Sequence, residues 1–152
     1  MRQPEPPESG TAEDLLRERL RMACQFIDDA RSEEQRESYN TAVNRAYYAL
    51  FKTISALQAL DGLAFRSHGQ AMGAFNREYI HMRACFPSSY GTRLHYIMQL
   101  RHSSDYDDSS IPTVQQTLDA IDFAVEFYFA VKTYCETRLG HTLTIPSEPH
   151  KT

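Results

Sequence analysis

"NTAVNRAYYALFKTISALQAL", residues 40–60, decides the fold. Val43, Ala46, Tyr47, Leu50, Phe51, Ile54, Leu57 and Leu60 recur three and four apart along it, the period of a helix with one face turned to a core. Asp61-Gly62 follows, and a glycine just past the last periodic residue is a helix stop. The spacing predicts a helix over about 38–60.

Outward from that helix the pattern repeats. Upstream, Thr11 with Asp14 makes an N-cap and an early acid that suits the helix dipole. Leu15, Leu16, Leu20, Ala23, Phe26, Ile27 and Ala30 then line one face of a first helix ending near Ala30. "RSEEQRES", residues 31–38, reads as a polar connection with room for some helix. Downstream, Ser67 opens a shorter helix over about 68–81, weakened by Gly69 and Gly73, and "CFPSSYG" at 85–91 breaks it. A fourth helix starts near Ser88 or Ser89 and carries Leu94, Ile97, Met98 and Arg101, with "SSDYDDSSIP" at 103–112 as the following loop. The fifth, about 113–139, bears Val114, Leu118, Ile121, Val125, Tyr128, Val131, Cys135 and Leu139. No segment alternates with period two. The expectation is an all-α domain over 11–140, an antiparallel bundle of about five helices. Proline-rich residues 1–10 read as a disordered tail and residues 141–152 as a flexible one.

Composition narrows the class. The 152 residues are 41% hydrophobic and 24% charged, enough for one domain with a core. Apolar runs are too short to span a membrane and the polar N-terminus is no signal peptide, so a cytoplasmic protein is expected. Cys24, Cys85 and Cys135 have no CxxC or Cys/His metal spacing and read as reduced, packed thiols. The net charge of −4 hides a basic middle: residues 62–104 hold five arginines and one acid, Glu78. Such a run either marks a polyanion site or pairs with acids from other helices.

Candidate chemistry is sparse. Glu78 and His81 have the Glu-x-x-His spacing of di-metal bundles, but the chain has no second copy, so no metal or other cofactor is expected. On the second helix Arg45, Tyr48 and Lys52 fall on one stripe, able to grip a phosphate or stack on a base. In the fourth, Arg101 continues an apolar stripe where a leucine would be ordinary. A guanidinium there needs partners, and Asp105, four residues on, is placed to orient it.

Taken together, "NRAYYALFKTISALQALDGL", "SHGQAMGAFNREYI" and "LRHSSDYD" resemble the HEPN domain family over about residues 12–139. The branch reads roughly [S/N]-R-A-Y-Y-A-x-F, then H-x-x-x-x-x-x-F, then R-x-x-x-D-Y-D. The resemblance implies a helical homodimer with the arginine-bearing helix near the dimer cleft. Many members are metal-independent ribonucleases in toxin–antitoxin or phage-defence systems. Others pair with a minimal nucleotidyltransferase, or bind nucleic acid or nucleotide without cleaving it. The nuclease motif puts a histidine a few residues after arginine and a polar residue. Here Arg101 and His102 match its start, but position 106 is Tyr106 and no histidine follows before His141. Histidine moves protons near neutral pH and an ordinary tyrosine does not. The resemblance therefore favours a catalytically weak or inactive RNA- or nucleotide-binding module, its ligand held by Arg45, Tyr48, His68, Arg101, Asp105 and Tyr106. An active ribonuclease using Arg101 and His102 is the alternative, and a purely structural interaction bundle the second.

Overall fold

The computed structural model describes residues 11–106 and 109–151, with the backbone alone at Asp105 and Tyr106. The tail expected at 1–10 lies outside the described residues. Five helices account for the architecture: α1 (Ala12–Gln35), α2 (Tyr39–Leu60), α3 (His68–Phe75), α4 (Ser88–Tyr106) and α5 (Val114–Leu139). Among the described residues there is no strand, and no helix is long and apolar enough to cross a membrane.

Local chemistry sets most of the boundaries. Thr11 Oγ1 accepts from the Asp14 N–H at 3.0 Å and starts α1. Thr113 and Gln116 form a reciprocal capping box at α5, and Gly140, at φ 80°, ends that helix in the left-handed region. Two boundaries differ from the sequence expectation. The polar connection at 31–38 is helical as far as Gln35, since Glu33, Glu34 and Gln35 favour helix whatever their polarity. Likewise α4 runs through Tyr106, so the first four residues of the expected loop are helix.

The third helix also departs from expectation. After Phe75 it continues as a π-helical segment, Asn76–Met82, in which the Arg83 N–H reaches back five residues to the Glu78 carbonyl. The wider turn brings Asn76 against α4, where a Cβ on Gly91 would fall 2.6 Å from Asn76 Oδ1. It also aims Tyr79 at Asp61, the C-cap of α2. Asp61 accepts from Tyr79, from Arg83 at 2.9 Å and from Arg138 of α5 at 2.6 Å.

The core centres on α2, which packs against all four other helices. Tyr47, Phe75, Tyr79, Phe123, Phe127 and Tyr128 are fully buried in it. Cys24 and Cys135 are buried thiols, as expected, and Cys85 is half-buried. Burial pushes the Cys135 thiol up to about 12.

Residues 141–151 are not a loose tail. Leu143 and Ile145 are buried in the core, His141 meets Glu13 at 3.0 Å, and Glu148 accepts from Tyr128 at 2.7 Å and Lys132 at 2.5 Å. Two apolar residues and one well-placed carboxylate turn this segment into a strap across α1 and α5.

Three residues expected on inner stripes face outward instead: Leu15, Val114 and Leu118 are exposed. Val114 and Leu118 lie with Ile111 near the start of α5. Gln116, between them, donates to the exposed Tyr96 hydroxyl of α4 at 2.9 Å. Beside this apolar surface, Arg93, Tyr96, Asp119 and Asp122 help line a groove of about 400 Å³ between α4 and α5.

Candidate functional site

Three of the residues singled out in the sequence meet at the end of α4 remote from the Asp61 hub. Arg101 is half-buried and turns inward, its guanidinium carbon 4.8 Å from the centre of the Tyr47 ring and 5.5 Å from that of Tyr48. Those rings supply a negative π-face to the cation, which accounts for an arginine on an otherwise apolar stripe. His68, the first residue of α3, completes the cluster. Its Nδ1 lies 2.8 Å from the Tyr47 hydroxyl, and its ring sits over Phe51 with centroids 3.8 Å apart. Phe26 of α1 stacks behind Tyr48 at 5.6 Å.

The sequence explains why these groups converge. Tyr47, Tyr48 and Phe51 lie within a turn and a quarter of α2, the helix at the centre of the bundle. Ser67 caps α3, its Oγ accepting from the Gln70 N–H, and so fixes the direction in which His68 leaves the chain. Burial holds the His68 imidazole below the usual histidine range, with the Arg101 and Lys52 charges acting in the same direction. Burial raises the Tyr47 hydroxyl, and the Arg101 charge partly offsets the rise.

The remaining expected site residues fare differently. Arg45 is half-buried one turn before Tyr48, and among the described residues it makes no hydrogen bond or ion pair. His102 is exposed, about 100° around α4 from Arg101. The side chains of Asp105 and Tyr106 lie outside the described residues. Tyr47 lies on the core stripe of α2 and is buried, yet its hydroxyl and ring make it the link between Arg101 and His68. The signal available was the hydroxyl itself, since a tyrosine on a core stripe needs a polar partner for its O–H.

The basic middle of the chain does not form one patch. Arg83 pairs with Asp61 at 2.9 Å and Arg93 with Glu126 at 3.2 Å, both acids from outside that segment. Arg66 and Arg77 are exposed. Among the described residues no group of three or more His, Cys, Asp or Glu gathers as a metal site.

An all-α bundle with the RAYYA-bearing helix at its centre and an inward arginine on the fourth helix defines the class of fold. A family model for the HEPN domain matches residues 16–134, and the chain belongs to that family. The UPF0332 protein of Thermotoga maritima is 45% identical over 60 residues, 40% of this chain and 46% of that protein. The chain thus matches a little under half the length of that relative.

Proposed function

We infer that this protein is a dimeric RNA- or nucleotide-binding module with weak or absent catalysis of its own. Its setting would be a toxin–antitoxin or phage-defence pair with a minimal nucleotidyltransferase. The observation that carries the reading is the inward Arg101 guanidinium, held on the Tyr47 and Tyr48 rings beside His68. Cation, aromatic faces and imidazole together suit a phosphate with an adjoining base. The proton-moving histidine of the nuclease motif has no counterpart at Tyr106, and His102 faces solvent.

Dimerisation is supported by the exposed apolar side chains Ile111, Val114 and Leu118 at the start of α5, with Ile111 65% and Val114 46% exposed. The neighbouring groove carries both signs of charge, Arg93 with Asp119 and Asp122, which lets the same patch face itself across a twofold axis. A Leu118→Glu substitution is expected to shift the protein to monomer in light scattering. An unchanged mass would remove this face from consideration.

Incubation of the full chain with labelled single-stranded RNA in EDTA, beside Arg101→Ala, tests the binding reading. Salt-sensitive binding without cleavage, weakened at least tenfold in Arg101→Ala, is expected. Cleavage that depends on Arg101 would instead make the protein a metal-independent ribonuclease. Neither binding nor cleavage would leave a structural bundle.

A further inference from the structure

The Tyr47–His68 contact bears on what the ligand does to the site, and its consequence rests on the binding reading above. His68 Nδ1 is engaged by the Tyr47 hydroxyl. Nε2 has no hydrogen-bond partner among the described residues and is not among their sealed, unpartnered polar atoms. One ring nitrogen is therefore anchored and the other is available to a ligand. The hydroxyl facing Nδ1 can donate to a neutral imidazole or accept from an imidazolium, so a proton can arrive without leaving Nδ1 unsatisfied.

The charges around the ring are lopsided. Facing His68 are Tyr47, Tyr48 and Lys52 from α2 and Arg101 from α4. From α1, Phe26 stacks on Tyr48 and brings no charge. Among the described residues no acid faces the imidazole, and burial with two like charges disfavours its protonated form. An anion drawn to Arg101 would reverse that balance.

We propose that His68 is a ligand-responsive proton acceptor, whose Nε2–H donates to a nucleotide phosphate seated beside Arg101 while Nδ1–H donates to Tyr47. Solvent supplies the proton, and no bond other than the N–H is made or broken. Binding of the phosphate and protonation of His68 are then linked. Affinity should rise as pH falls through the bound-state value and level off below the lower, ligand-free one.

The test uses the full chain with two fluorescein-labelled single-stranded RNAs of one sequence, one 5′-phosphorylated and one 5′-hydroxyl. Anisotropy titrations at pH 8, 7 and 6 are run on wild type and His68→Gln. Roughly tenfold tighter binding per pH unit is expected for wild type within the linked range, with a flat profile for His68→Gln. Coupling with both RNAs would identify an internal phosphodiester as the ligand, and coupling only with the 5′-phosphorylated RNA a terminal phosphate. Binding that is pH-independent in wild type, or equally pH-dependent in His68→Gln, overturns the proposal while the binding reading stands. Absence of binding at every pH overturns both. The His68 imidazole resonances of wild type, titrated with and without RNA, give a second readout that needs no variant: the apparent pKa must move up on binding, and a value that does not move overturns the proposal.

Discussion

At Asp61 one carboxylate accepts from Tyr79, Arg83 and Arg138, so the π-helical segment and α5 are tied to the end of α2 through a single side chain. Burial alone would push this carboxyl up. Hydrogen bonds from Arg138 and Tyr79, with the two guanidinium charges, hold it below the usual range instead. A group whose folded pKa is depressed contributes stability above its unfolded value, near 3.9, and loses it as pH falls through the folded value. Asp61→Asn is therefore expected to cost about 2 kcal/mol at pH 7, discounted because both arginines are more than a third exposed. Urea midpoints from pH 5 to pH 2 should fall less steeply in the variant than in wild type. Parallel pH profiles would show that the carboxylate charge plays no such part. Arg101 works on the same scale, but against aromatic faces, where a planar guanidinium suits the contact better than a lysine ammonium would.

Among the elements, α5 owes its start to the Thr113–Gln116 capping box. Thr113→Ala should cost about 1 kcal/mol, or about 3 °C in melting temperature, and an unchanged melting temperature would mean the box is idle. Elements of this kind were legible. Thr11 and Gly140 mark their helix ends in the sequence, and the stripe from Val43 to Leu60 sets α2. The π-helical turn was not, because NREYIHM has no propensity that separates an i+5 turn from an ordinary one; its reason lies in Asn76 meeting Gly91 and Tyr79 meeting Asp61. Leu15, Val114 and Leu118 show a different limit. Periodicity identifies an apolar stripe, yet tertiary packing decides how much of it the core can cover. At the candidate site, the structure brings Tyr48 and His68, both named from the sequence, near Arg101. Tyr47 reads as core in the sequence, because a single stripe cannot show that one residue serves both core and site.

Over the whole molecule the strap at 141–151 closes the seam between α1 and α5. Its composition hid it, since Leu143 and Ile145 alone interrupt a polar run and no period operates over so few apolar residues. Leu143→Ala should cost about 3 kcal/mol in chemical denaturation, as for a core leucine, whereas a change near zero would restore the reading of a dangling end. The position of α2 has a wider consequence. The helix that every other helix leans on is also the one that supplies the aromatic platform under Arg101. Evolution therefore has little room to retune recognition there without gambling with the scaffold. New specificities in relatives sharing this plan should arise from α3 and the end of α4, the peripheral elements beside Arg101, while the α2 platform stays as it is.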